Sequence, residues 1–183
     1  HEIFFIWNGG MSFHGGLIGI FISSYYYCKK NKLNMYIYLD LISMAAPIGL
    51  FFGRIVNFIN SELYGRETDV LWSVKFINID NISRHPSQIY EAIFEGIILF
   101  FLLMYLNKKS IFSRPGVMSS FFLILYSLFR FILEFYREPD PHLGFLIANL
   151  TMGQLLSFVL FFLGTYLYYI KKNEKKKKTN NKD

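Results

Sequence analysis

An all-α polytopic membrane bundle is the fold class this chain predicts, and three observations carry the prediction. Its apolar residues, 53% of 183, fall in blocks of about twenty rather than in the short periodic runs of a water-soluble core. Aromatic side chains are dense within those blocks, with Phe 21 and Tyr 13. Basic residues collect in the breaks between alternate blocks, which is how a helical membrane chain records its orientation.

Five segments are long enough to cross roughly 30 Å of hydrocarbon at ~1.5 Å per residue: about 13–28, 36–60, 86–106, 116–136 and 147–170. The first is short and follows Ser12, a suitable helix cap. The second holds Pro47, which frees a backbone carbonyl and can bend a helix, and Gly49-x-x-x-Gly53, a small face that predicts close approach of another helix. Between the second and third, residues 61–85 form the one predicted element outside the bilayer; Val70 to Phe76 has strand-like residues suited to a small hairpin. The third span opens with Pro86 near its first turn, behind Arg84 and His85. The domain expected is thus a membrane unit over 1–170 with an insert at 61–85. Residues 171–183 read as a low-complexity, disordered basic tail.

Orientation follows from lysine and arginine. Lys29, Lys30 and Lys32, then Lys108, Lys109 and Arg114, then the tail all fall at the same end of successive spans, so that end is expected in the cytoplasm. Residues 61–85 and 137–144 are then exterior. The net charge of +6 does not argue for nucleic acid, because seven lysines lie in the tail beside a span, where they suit anionic lipid. Cys28 is the sole cysteine, which excludes an internal disulfide or a CxxC metal site; it reads as a packing residue. No metal site or cofactor is expected. The chain begins at His1 and enters a glycine-rich stretch almost at once, so a preceding segment is expected to be missing.

Polar residues inside the spans are the part that needs explaining, because ionisable groups in hydrocarbon are costly and usually face a cavity, a partner or a substrate. His14, Arg54 and Arg130 sit on three different helices at similar depth near the exterior end. Snorkelling of long side chains is the bland explanation, and it weakens when three basic groups share one level. Tyr126, Arg130 and Glu134 recur every four residues, with Arg137 three beyond, and make one polar stripe. Either Glu134 merely neutralises Arg130 or Arg137, or the stripe lines a cavity in which an arginine fork reads a phosphate. Arg54 and Asn57 are i, i+3 neighbours on the second span. Glu91 and Glu95, one turn apart on the third, are candidate counter-charges, Glu95 equally a buried neutral acid.

GGMSFHGGLIG at 9–19, GRIVNFINSELYG at 53–65, RHPSQIYEAIFEG at 84–96, Tyr126…Arg130…Glu134…Arg137 and Met152-Gly153-Gln154 occur in an order that resembles the prolipoprotein diacylglyceryl transferase family. Val56 departs from that pattern, which has Gly or Ala there, and the family's N-terminal helices and functional tyrosine are absent. The resemblance implies transfer of the diacylglyceryl group of phosphatidylglycerol to the lipobox cysteine of a prolipoprotein, with release of glycerol phosphate, in the bacterial cytoplasmic membrane with the site facing the outer leaflet. It implies a site at or near His14, Arg54, Asn57, Glu62, Gly65, Tyr126, Arg130, Glu134 and Arg137. Arg54 and Arg130 would stabilise the phosphate leaving group, and His14 is the candidate base, with an arginine-assisted route as the other option. A non-catalytic phospholipid-binding protein or transporter is the rival class.

Overall fold

The computed structural model describes residues 13–139, 144, 146 and 150–179, and for 13–18, 112 and 174–179 it describes the backbone alone. Five helices account for the architecture: α1 (Phe13–Lys30), α2 (Met35–Ile59), α3 (Ser87–Asn107), α4 (Val117–Leu133) and α5 (Met152–Thr179). Among the described residues α2, α3 and the 22 residues Met152–Asn173 are long and apolar enough to cross a membrane, and α4 is apolar but shorter. The helices correspond to the five predicted spans, although α5 starts at Met152 rather than near 147.

Each end has a local cause. Lys29 and Lys30 close α1, where cations suit the negative end of the helix dipole. Asn34 caps α2 by accepting from Tyr36 N. The residue before α4 is Gly116 at φ 90, which offers no capping side chain; instead Asp40 reaches across from α2 and accepts from Gly116 N and Ser119 N, both at 2.7 Å. At α5 the expectation of a disordered tail from 171 is corrected: the helix continues to Thr179. Lysine is a good helix former and is favoured in a last turn, so a basic run can prolong a helix rather than end it.

The core sits in the inner half of the bundle, the half farther from the 61–85 insert, where Leu99 and Leu103 of α3 meet Val117 and Met118 of α4, with Met44 and Tyr168 packed against them. Gly164 lets α5 lie on α4: a Cβ there would stand 2.9 Å from Ser120 O. The close approach predicted at Gly49 and Gly53 is not made by any of the described residues, none of which has an atom within 4 Å of a would-be Cβ at either. The contact falls at Gly96 of α3 instead, where a Cβ would meet Phe51 Cβ at 2.7 Å.

Outside the bundle, the predicted hairpin forms as β1 (Val74–Lys75) and β2 (Ser83–Arg84), antiparallel, with Val74 opposite Arg84. Gly65 bridges to Arg137, tying the chain after α2 to the chain after α4. Ala92–Ile98 of α3 is π-helical, a local widening that often occurs at functional positions.

Candidate active site

The outer ends of α2, α3 and α4, those nearest the 61–85 insert, converge on a buried cluster of two arginines and three glutamates. Glu91 of α3 is the hub. Its Oε2 lies 2.8 Å from Arg54 Nε, and its Oε1 accepts from Arg130 Nη1 at 2.5 Å. Glu95, one turn further in, accepts from Arg54 Nη2 at 3.4 Å and lies 3.7 Å from Arg130 Nη1. Glu134 completes the set, 2.7 Å from Arg130 Nη2. Glu91 and Glu95 are fully buried, while the arginine side chains keep 15% and 11% exposure, so the cations form the accessible face of the cluster. Snorkelling therefore does not account for either arginine, since each is held by carboxylates within the bundle.

Of the many guanidinium contacts, one per arginine is a directed hydrogen bond to a carboxylate; Arg54–Glu91 and Arg130–Glu134 are close charge contacts out of line with an N–H. An arginine carries five N–H donors in a planar fork, so two guanidiniums steadied in this way can engage further oxygens.

Helix geometry explains the convergence. Tyr126, Arg130 and Glu134 do make one stripe: Arg130 and Glu134 are buried, and half-buried Tyr126 stacks on Phe122 at 5.8 Å and lies in the field of Glu95, Arg130, Arg54 and Glu91. Of the two pairings open for Glu134, the structure has the one with Arg130. Asn57 is half-buried one turn beyond Arg54, and its carbonyl accepts from Glu62 N at 2.8 Å. His14 opens α1, and its side chain lies outside the described residues.

Three other positions serve the backbone. Gly65 is pressed between the segments at His85 and Tyr136, with a would-be Cβ on His85 O and 2.8 Å from Tyr136 O, so any side chain there would part them. Arg137 is buried and pairs with Gly65 through the main chain. Glu62 is exposed and joins none of the cluster's ion pairs among the described residues. Ser61 and Leu63 on either side of it have φ 58 and 53, a conformation that costs a residue with a side chain on the order of 1 kcal/mol or more. Buried Ser87 and Gln88 hold that turn in place, donating to Leu63 O and, at 2.6 Å, to Glu62 O.

Two features escaped the sequence reading. One is that Glu91 bridges both arginines at close range, with Glu95 reaching the same pair from further away. The other is an aromatic recess of about 490 Å³ formed by the insert, α3 and α4, walled by Trp72, His85, Tyr90, Phe94, Phe129 and Tyr136 and by none of the five cluster residues. Tyr90 OH accepts from Trp72 Nε1 at 2.7 Å and lies 3.2 Å from His85 Nδ1. Burial holds the His85 imidazole below its ordinary pKa. In the insert, Asp80 falls below the carboxylate range and Arg84 rises because the two are hydrogen-bonded, at 2.7 Å.

Known proteins resemble the chain throughout. The family model for prolipoprotein diacylglyceryl transferase matches residues 1–170. A phosphatidylglycerol–prolipoprotein diacylglyceryl transferase of Rickettsia bellii is 53% identical over 167 residues, 91% of this chain and 64% of the relative. Proteins of the same name from Geobacter sulfurreducens and Campylobacter lari are 48% and 46% identical over 89% and 94% of this chain, each over 62% of its own length. The chain thus spans less than two thirds of these relatives. With the motifs, the five helices and a match that runs from the first residue to near the end of the last span, the chain belongs to the prolipoprotein diacylglyceryl transferase family.

Proposed function

We propose that the protein of which this chain is part transfers the diacylglyceryl group of phosphatidylglycerol to the lipobox cysteine of a prolipoprotein. The observation that carries this is the pair Arg54 and Arg130, brought from two helices to one carboxylate hub with their forks on the accessible side. The aromatic recess formed by the insert, α3 and α4 suits the apolar part of a phospholipid, and the arginine pair suits its anionic group.

In the proposed reaction a cysteine thiolate attacks the glyceryl carbon that bears the phosphate. The C–S bond forms as the C–O bond breaks, and the electron pair leaves with the phosphate oxygen as glycerol phosphate. Arg54 and Arg130 stabilise the charge that develops on that oxygen. The thiol, with a reference pKa of ~8.5, gives its proton to a base, a role for which His14 is the candidate at ~6.5. Glu91 and Glu134 hold the arginines. Asn57 and Tyr126 border them, and Glu62, Gly65 and Arg137 shape the outer rim.

The same reading puts the site at the outer leaflet of the bacterial cytoplasmic membrane, the tail inside and residues 61–85 outside. Cysteines introduced at Lys178 and Thr68 in a Cys28→Ser background should then label from opposite sides with an impermeant thiol reagent. Function is tested by incubating membranes that carry the full-length protein with labelled phosphatidylglycerol and a lipobox peptide. Label should pass to the peptide thiol; retention of bound lipid without transfer would point to a carrier and overturn the reading.

A further inference from the structure

We propose that Thr151 and Gln154, at the start of α5, are positioning residues for Arg130 and act on it through Glu134; the proposal rests on the function proposed above. Thr151 Oγ1 accepts from Gln154 N at 3.3 Å, and Gln154 Oε1 accepts from Thr151 N at 3.1 Å. This is a reciprocal capping box, T-x-x-Q, closing the first turn of α5. The hydroxyl that accepts from Gln154 also donates, to Glu134 Oε1 at 2.9 Å. Glu134 turns its other oxygen to Arg130 Nη2, 2.7 Å away. Thr151, Gln154 and Glu134 are all buried, at 3%, 2% and 5% exposure.

Electrostatics gives this arrangement its direction. Glu134 ends α4, where the helix's own dipole disfavours a carboxylate, and it lies against the first turn of α5, whose dipole favours one. Gly153 makes that approach possible, because a Cβ there would stand 2.6 Å from the carboxyl carbon of Glu134. The Met152-Gly153-Gln154 motif thus has a physical content. Glycine admits the carboxylate, glutamine closes the cap, and the threonine before them aims Glu134 so that its far oxygen meets Arg130.

Capping and aiming are separable by substitution. Serine keeps both the cap and the donor. Aspartate caps a helix as well as threonine does, but it presents a second carboxylate to Glu134 and, when ionised, no proton. In the full-length protein, Thr151→Ser and Thr151→Asp are compared with Glu134→Gln by two readouts. The first, independent of catalysis, is the rate at which phenylglyoxal modifies Arg130, read by peptide mass. Thr151→Asp should accelerate it severalfold, as should Glu134→Gln, whereas Thr151→Ser should stay at the wild-type rate. The second is diacylglyceryl transfer. Thr151→Asp should lower kcat about tenfold with little change in KM, Thr151→Ser should stay within about twofold of wild type, and Thr151→Asp should add nothing in a Glu134→Gln background. Wild-type labelling of Arg130 in Thr151→Asp overturns the positioning role. Absence of transfer by the wild type, with the labelling pattern intact, overturns the function proposed above and leaves the Thr151–Glu134–Arg130 relay standing.

Discussion

The two ends of the bundle use charge in opposite ways. At the inner end, interactions cross-link helices one at a time: Asp40 of α2 caps α4, Arg114 Nη1 donates to Lys172 O of α5, and the Lys171 ammonium lies 3.5 Å from the centre of the Tyr36 ring. At the outer end five charged groups share one cluster, and Glu91 and Glu95 each contact both arginines, Glu91 the more closely. A helix cap needs one acceptor and two N–H groups. A cluster whose two cations are its more exposed part can present them to an anion. The lesson is that the polar residues of a membrane bundle are separated by how many partners they share rather than by how deeply they lie.

The largest expected effect falls on the outer end. Arg54→Lys and Arg130→Lys, at matched membrane abundance, should each lower diacylglyceryl transfer by about a hundredfold, roughly 3 kcal/mol, because lysine keeps the charge and loses the planar fork. Near-normal rates in both variants would erase the contrast between the ends. Next comes the hub. Glu91→Gln should cost transfer on the order of tenfold to thirtyfold, about 2 kcal/mol for a charge-assisted contact to both arginines. Glu95→Gln, at longer range from each, should cost less than threefold; equal losses would mean that Glu91 has no special place.

Asp40→Ala examines the inner end. It removes a helix cap and should lower stability by about 1 kcal/mol, read as a lower midpoint in thermal unfolding, with the transfer rate per folded molecule unchanged. The smallest effect concerns the insert. Because burial lowers the pKa of His85 from 6.5, the unfolded chain binds the proton more readily. Stability contributed there is intact above about pH 6.5 and declines as pH falls through the window below it. His85→Gln should flatten the dependence of melting temperature on pH between about 7 and 5.

Much of the fold was open to a reading of hydropathy, since a bilayer sets span length directly. The depth match of Arg54 and Arg130 was legible for the same reason, depth being countable along a helix. Their joining through Glu91 was not: that depends on how α3 is rotated against α2 and α4, which no spacing within one helix records. Gly49 and Gly53 illustrate the converse, a local signal for close packing that no described neighbour uses, while Gly96 makes the contact. The tight packing of Gly65 between His85 and Tyr136 was not legible either, since both partners come from distant parts of the chain. The capping box at Thr151 did carry a signal, threonine three residues before glutamine ahead of an apolar run, within a motif that had been noted only for its likeness to the family.

The π-helical stretch Ala92–Ile98 lies between the part of α3 that carries Glu91 and the part that carries Leu99 and Leu103. Such a stretch acts as a phase joint: one extra residue lets the outer half of a continuous helix aim independently of the inner half. Removing a single residue from it would restore an ordinary helix and swing one half relative to the other by about 100°. The inner half would keep its packing in the core, and the carboxylates would turn away from both arginines. The position of the charge hub is thus a matter of residue count within seven residues, as much as of which residues they are.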